Sequence, residues 1–573
     1  MLALLFLACG AALAAAYVIY GRFLERHLDV RADRVTPSVT LQDGMDYVPT
    51  KTPVLFGHHF SSIAGAGPIV GPIIAGLAFG WFPALLWILV GSIFIGGVHD
   101  FTALIASLRH RARSIGEMCR ELLNPGAYYV FLVFIWLTLM YVEIVFLDLT
   151  ASTFAPVTQP ETANLQLHQG GVVATASVLY IVLAVLFGLV LYRFKVSIGR
   201  ATLVFVPLVF MALWISHLIP MRADHIPAAL LLGGAKNTWL AVLIVYCFIA
   251  SILPVWILLQ PRDYLSSFLL YACVGGGVLG LLASAARGTV AIQYNPFTGW
   301  THPELKGLFP ALFITIACGA VSGFHSIVAS GTTSKQLQNE KAARPVAYGG
   351  MLVEGVLALL ALSAVMILAD KPAGRNPVAI FAGGLGEFLS ALHIPRQAAV
   401  TFGLLAVSSF LLTTLDTCTR LSRFIFEEIF GLSGLRARIV GTLASLALPA
   451  LVVFRQVPGP GGKLMPAWQA IWPAFGATNQ LLAALALLVV FAWLRRTGKK
   501  ALFVLIPLLF MCATTITALT QLAILNLFRQ GSLLVGGICL LLDLLAVALI
   551  LNTAWNLLQA PRPAPVGFTP DRN

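Results

Sequence analysis

The chain has 573 residues, with 36 Lys and Arg against 23 Asp and Glu, a formal net charge of +13, 59% hydrophobic residues and only 10% charged ones; its mean hydropathy is +0.90. Soluble proteins carry about 25% charged residues, so this chain lacks the charge to cover a water-facing surface and reads as a bundle of helices embedded in a lipid bilayer. The positive balance does not point to nucleic acid, because no Lys/Arg-rich run with interleaved aromatics occurs; basic residues in short connections set membrane orientation instead.

Residues 1–20 have no basic residue ahead of their apolar run, the first being Arg22, and are expected to be a retained spanning helix rather than a cleaved signal. A crossing needs ~20 apolar residues. In chain order the candidate segments are 1–20, 54–78, 80–107, 127–149, 172–192, 200–220, 238–259, 264–286, 308–330, 347–368, 397–418, 439–454, 467–492, 502–523 and 533–556. This predicts an all-α integral membrane protein of about 15 transmembrane helices. With alternate connections assigned to the cytoplasm from 21–53 onward, those connections and the C-terminal tail hold 26 of the 36 Lys and Arg. That bias predicts an N-terminus outside and a C-terminus in the cytoplasm. The expected organisation is an N-terminal helix (1–20), a cytoplasmic loop (21–53), a motif-rich region (54–375) and a C-terminal bundle (376–573). No connection is long enough for a soluble domain, which disfavours a sensor. The eight cysteines form no CxxC pair and read as small buried hydrophobes.

Four clusters break the apolar pattern. The first, 56–72, holds His58, His59, Ser61, Ser62, Gly57, Gly65, Ala66, Gly67, Gly71, Pro68 and Pro72. Two prolines four residues apart, each after a glycine, make a continuous helix untenable. An unwound centre from Gly65 to Gly71 would present backbone groups to a ligand; close helix packing is the structural alternative. The adjacent histidines point about 100° apart on a helix, so they chelate one metal ion only where the helix is unwound. In the second cluster, 322–336, Ser322, Ser326 and Ser330 recur every four residues on one face, with His325 and Thr332 nearby. The hydroxyls suit a cation or substrate, or bond back to their own helix. In the third, Asp416 sits among threonines, four residues before Arg420, a spacing that also allows a plain ion pair. In the fourth, Asn479 and Gln480 open an apolar span, where interhelical hydrogen bonds are expected. Isolated ionisable residues inside spans are His99, Asp100, Glu143, Asp148, Glu354 and Asp543. Intramembrane carboxylates point to ion or proton paths, and histidine titrates in the range a relay needs; Asp100 and Glu354 are the preferred candidates.

The strings GHHFSSIAGAGPIVGP (57–72), SGFHSIVASGTTSKQL (322–337), LTTLDTCTRL (412–421) and WPAFGATNQLLA (472–483) resemble the carbon starvation protein A family of bacterial inner-membrane transporters. The resemblance runs from about residue 20 to 500. It implies uptake of peptides or pyruvate, coupled to H⁺ or Na⁺, and a LeuT-like inverted-repeat core with broken first and sixth helices. On that pattern 54–78 is core helix one, 238–259, with Ser251 and Pro254, is core helix six, and 308–330 is core helix eight, the partner of helix one at a cation site. Substrate is then expected at Gly57, Ser61, Ser62, Gly65, Ala66, Gly67, Ser251 and Ser322. Coupling is expected at His58, His59, His99, Asp100, His325, Ser326, Ser330, Thr332, Glu354 and Asp416.

The expected partners are a small-molecule substrate and the lipid bilayer, with no resident cofactor, no metal and no nucleic acid; the sequence implies no oligomeric state. The other classes are a membrane metal protein using His58, His59, His99 and His325, and a passive channel. An enzyme is not expected, because no HExxH, phosphate-loop or nucleophile-elbow motif is present.

Overall fold

The computed structural model describes residues 1–43, 47–122, 125–155, 163–222, 232–254, 257–370, 376–458, 464–529 and 533–559. Its helices are α1 (Leu2–His27), α2 (Pro37–Thr40), α3 (Thr52–Ile63), α4 (Gly67–Phe79), α5 (Trp81–Gly91), α6 (Gly97–Arg109), α7 (Ile115–Leu122), α8 (Pro125–Phe154), α9 (Ala163–Tyr192), α10 (Ile198–Leu218) and α11 (Ala235–Ile252). They continue with α12 (Leu259–Ala286), α13 (Leu308–Thr315), α14 (Gly323–Val328), α15 (Gly350–Met366), α16 (Pro377–Ser390), α17 (Arg396–Phe430), α18 (Leu435–Val453), α19 (Ala467–Arg496), α20 (Leu502–Ile524) and α21 (Leu533–Gln559). Two short antiparallel ribbons, Thr301–His302 with Lys306–Gly307 and Gln456–Pro458 with Leu464–Pro466, lie in connections.

Helices dominate because hydrocarbon offers no partner for backbone polar groups, and a helix satisfies them internally. Among the described residues, thirteen helical runs are long and apolar enough to cross a membrane, and the bent pair α3/α4 makes up to fourteen. The interrupted segment α13–α14 occupies the remaining expected span, 308–330. The peripheral helix α1 shows how the sequence meets both environments: Leu2, Phe6, Cys9, Leu13 and Ala16 pack inward at helical spacing, while Leu4, Leu7, Val18 and Ile19 remain exposed. An outer face as apolar as the inner one suits lipid and not water. Helix α16 falls in a stretch read from sequence as a connection. It is apolar but only 14 residues long, too short to cross, and it lies against α12 and α15, where Gly280 meets the Phe388 backbone and Gly384 meets Ala364.

The connections sort into two ends, as the alternating assignment requires. At one end Thr50 bridges Leu337 in parallel, the Tyr47 hydroxyl donates to the Arg111 carbonyl (3.4 Å), and Lys499 Nζ donates to the His27 carbonyl (3.3 Å). At the other, the Phe82 N–H donates to Pro296 O (2.9 Å), Gln293 N–H to Met366 O (2.8 Å) and Met221 N–H to Gly171 O (3.1 Å).

The first end is tied by charge. The buried Glu340 carboxylate pairs with Arg109, accepts from Arg34 Nη1 (3.1 Å) and accepts the Arg31 backbone N–H (2.8 Å). Arg344 holds Glu25 at 2.6 Å. At the same end a hydrogen bond from Arg31, reinforced by Arg34, holds the Asp29 carboxyl below its ordinary range. Glu340 thus clamps the 21–53 connection onto the start of the run that leads into α15. Glu340→Ala is expected to release this connection, so that limited trypsin treatment cuts after Arg31 and Arg34 faster than in the native protein; an unchanged digestion pattern would show that the clamp does not hold the loop.

Candidate functional site

Among the described residues two spans are interrupted, and their interruptions lie against each other. In the first, α3 ends at Ile63 and α4 begins at Gly67, with a 45° bend. The unwound stretch is only Ala64, Gly65 and Ala66, shorter than the Gly65–Gly71 opening expected from sequence. Pro68 sits in the first turn of α4, where its missing N–H would be unpaired anyway, and Pro72 is accommodated inside the helix. Gly67 and Gly71 act through size: a Cβ at Gly67 would lie 2.6 Å from Cys318 Cβ, and one at Gly71 would lie 2.5 Å from the Thr315 carbonyl oxygen. Gly65 faces the other way, against Thr414 Oγ1.

The second interruption is residues 316–322, between α13 and α14. This corrects the expected placement of the second broken helix in 238–259. That segment is α11, which ends at Ile252, and after it the chain starts the full-length α12. Ser251 lies in α11, with its hydroxyl 3.1 Å from that of Thr442. The reason the break falls at 316–322 is visible on α19. Gln480 Nε2 donates to the Phe313 (2.5 Å) and Ile316 (3.4 Å) carbonyls at the end of α13. Asn479 Oδ1 accepts the Phe324 N–H (3.0 Å) at the start of α14, and its Nδ2 donates to Ser322 Oγ (3.0 Å). One dipeptide therefore supplies a donor where the first half-helix leaves free carbonyls and an acceptor where the second leaves free amides.

Beside this crossing lies a row of fully buried ionisable side chains. Asp100 Oδ1 is 2.7 Å from His99 Nδ1, and Asp100 Oδ2 is 2.8 Å from His325 Nδ1. His325 Nε2 is 3.3 Å from Glu354 Oε2, an ion-pair approach without hydrogen-bond alignment. All four are 0% exposed. An ionised carboxylate only accepts, so both Nδ1 atoms carry hydrogen. With a single proton between His325 Nε2 and Glu354 the group carries one net negative charge. A further proton makes it neutral, and His99 Nε2 and both Glu354 oxygens have no hydrogen-bond partner. Each helix that supplies this row contains a π turn near its contribution: Ser92–Gly96 before His99, Ala329–Thr333 after His325, and Arg344–Gly349 before Glu354. A π turn inserts a residue and rotates the rest of the helix by ~100°. Two of the turns touch, the Tyr348 hydroxyl donating to the Ile93 carbonyl (3.3 Å).

The two adjacent histidines of α3 diverge as their helical spacing requires. His59 Nδ1 meets Thr333 Oγ1 (2.8 Å), on the side of this row. His58 Nδ1 lies 3.2 Å from Asp263 Oδ2, on the opposite side. There Arg262, fully buried, pairs with Asp416, donates to the Tyr246 hydroxyl (2.8 Å) and to Asp263 Oδ1 (3.1 Å), and reaches the Thr413 carbonyl (3.3 Å). Asp416 thus turns to Arg262, while Arg420 donates to the Ala250 and Leu253 carbonyls. Sequence reasoning missed Arg262 and Asp263, because Gln260-Pro-Arg-Asp-Tyr264 reads as a connector; the signal was a lone cation next to an acid at the edge of an apolar span.

The other candidates make local contacts. Ser61 Oγ donates to the Asp263 carbonyl (3.0 Å) and Ser62 Oγ to that of His58 (2.8 Å); Gly57 packs on Ser267. Ser326, Ser330 and Thr332 donate to carbonyls within their own helical run. Asp148 pairs with Lys236, Asp543 accepts from Thr520 (2.7 Å), and Glu143 is buried without a hydrogen-bond partner. Among the described residues, no three His, Cys, Asp or Glu side chains converge on a position for a metal ion.

The family model for carbon starvation protein CstA matches residues 1–375 and 372–518. Peptide transporter CstA of Escherichia coli K12 is 31% identical over 575 residues, covering 88% of this chain and 78% of that one. Pyruvate/proton symporter BtsT of the same organism is 31% identical over 577 residues, covering 84% and 76%. Among solved structures, MhsT in complex with L-phenylalanine aligns over 88% of this chain and 99% of that one, at 12% identity and a TM-score of 0.47.

If Asn479 and Gln480 hold the second break, Asn479→Ala strands the Phe324 amide and is expected to cost about 1–3 kcal/mol. Thermal unfolding of the purified protein in detergent should show a lowered Tm; a native Tm would mean that the break is held by packing alone.

Proposed function

The chain belongs to the carbon starvation protein CstA family, and on that premise we propose that it is a secondary active transporter importing a small carboxylate-bearing carbon source, pyruvate or a short peptide, together with a proton. The observation that carries this reading is the sealed row His99–Asp100–His325–Glu354 lying against two interrupted helices. A net charge inside a membrane is costly. A second proton between His325 Nε2 and Glu354 removes the charge the row carries with one, and the α3–α4 and α13–α14 breaks provide the jointed elements whose parting exposes it to one side at a time. The two breaks at one crossing also support the LeuT-like, alternating-access reading.

Imidazole nitrogens, rather than a cage of oxygens, face the carboxylates of the row, which favours H⁺ over Na⁺ as the coupling ion. Ser322, Ser326, Ser330 and Thr332 remain the oxygen-bearing surface nearest to His325 in sequence. The substrate is assigned to the Gly65 face of the first break, where the neighbours are the side chains of Thr414 and Phe146, which can turn aside, whereas Gly71 packs on the Thr315 backbone carbonyl. The excess of Lys and Arg in alternate connections orients the chain in a bacterial inner membrane with the N-terminus outside and the C-terminus in the cytoplasm.

Purified protein in proteoliposomes is expected to accumulate labelled pyruvate or a dipeptide when the outside is acid, and to equilibrate slowly without a pH gradient. Glu354→Gln, which cannot share the His325 proton, should lower gradient-driven uptake at least about tenfold while the protein still folds. Uptake indifferent to the gradient would remove proton coupling, and native uptake by Glu354→Gln would remove the row from the mechanism.

A further inference from the structure

On the far side of α3 from the proton row, the Arg262 cluster has the chemistry of a carboxylate receptor that is occupied by the protein's own acid. Among the described residues Arg262 is the largest of the fully buried side chains. Its guanidinium faces two carboxylates, Asp416 and Asp263, and two neutral acceptors, the Tyr246 hydroxyl and the Thr413 carbonyl. Its Nε has no hydrogen-bond partner, nor has Asp416 Oδ1. One cation against two acids leaves a net negative charge unless the neighbouring His58 or one of the acids holds a proton. Tyr180 adds a hydroxyl that donates to the Arg262 carbonyl. No other charged side chain pairs with Arg262 among the described residues.

The cluster adjoins the first break. Ser61, two residues before the end of α3, donates to the Asp263 carbonyl (3.0 Å). Thr414, next to the Thr413 carbonyl that Arg262 reaches, is the residue a Cβ on Gly65 would strike, at 2.8 Å. A substrate on the Gly65 face therefore lies beside the segment of α17 that carries Asp416.

We propose that the substrate's carboxylate is received by Arg262 in exchange for Asp416, and that Asp416 takes up a proton as it is displaced. This rests on the transport reading above and names the residue that recognises the substrate's anionic end. The guanidinium is a planar fork that suits one carboxylate bidentately. When the substrate takes that place, Asp416 loses its cation in a buried setting, where an unpaired carboxylate is expensive and neutralises instead. Protonated, it still donates its O–H to the Tyr246 oxygen or accepts from that hydroxyl. One anion and one proton enter together, and the charge of the cluster is unchanged. The exchange links each carboxylate bound to one proton bound without needing any cofactor.

The test uses the full chain, with pyruvate as the carboxylate probe and its neutral amide as the control. The native protein should bind pyruvate and not the amide. Arg262→Lys, which keeps the charge and loses the fork, should weaken pyruvate binding at least about tenfold. Asp416→Asn imitates the protonated acid. It should bind pyruvate at least as tightly as the native protein and exchange it across proteoliposomes, but lose accumulation driven by a pH gradient. If Arg262→Lys fails to fold, the charge-balanced pair Arg262→Gln with Asp416→Asn takes its place, with loss of pyruvate binding expected. Native pyruvate affinity in a folded Arg262 variant, or gradient-driven accumulation by Asp416→Asn, overturns the exchange while leaving the transport reading intact. A native protein that carries neither pyruvate nor dipeptides overturns both.

Discussion

The pairing of Asp100 with His325 is the contact on which the rest of the interior depends. It joins α6, an unbroken run, to α14, the second half of an interrupted one, through a fully buried 2.8 Å hydrogen bond. A hydrocarbon-embedded bundle leaves neither group an alternative partner in water, so the two helices are held in register by the cost of separating them. Glu354 extends the same link to a third helix, α15, while His99 adds a second imidazole from α6, and π turns at Ser92–Gly96, Ala329–Thr333 and Arg344–Gly349 flank the three contributions.

The breaks and the charges solve one problem between them. An interrupted helix leaves carbonyls and amides unpaired, and Asn479 and Gln480 meet those of the second break from a single turn of α19. The first break is kept short and is covered by glycine-sized contacts to Cys318 and Thr315. α3 stands between two buried polar clusters, with His58 turned to one and His59 to the other. A displacement of α3 therefore disturbs both clusters together, which is the mechanical requirement for linking a proton to a substrate. The Glu340 clamp closes the same assembly at one end.

Much of this was legible in the amino-acid sequence, and the failures are instructive. Hydropathy located the spans, because burial in lipid leaves few alternatives to a helix. Proline and glycine marked the first break, although they overstated its length: Pro68 fits the opening turn of α4. The second break was assigned to the wrong span, since 308–330 carries no proline beyond its first residues and its interruption is dictated by Asn479 and Gln480, more than 150 residues away in the chain. Arg262 was hidden by the rule that charges belong in connectors; three-dimensional pairing with Asp416 overrides that rule. The i,i+4 spacing of Asp416 and Arg420 suggested a local pair, but each side chain turns to a different helix. The π turns had no local signature, because they arise from packing such as Tyr348 on Ile93.

The protein is thus a transporter of the carbon starvation CstA family, and on the reading proposed above it binds its proton and its substrate together. The most direct measurement is calorimetric titration of the purified protein with pyruvate in two buffers of different ionisation enthalpy at the same pH. Linked exchange predicts an observed binding enthalpy that changes with the buffer, in proportion to at least about one proton taken up per pyruvate bound. Binding with the same enthalpy in both buffers would contradict it.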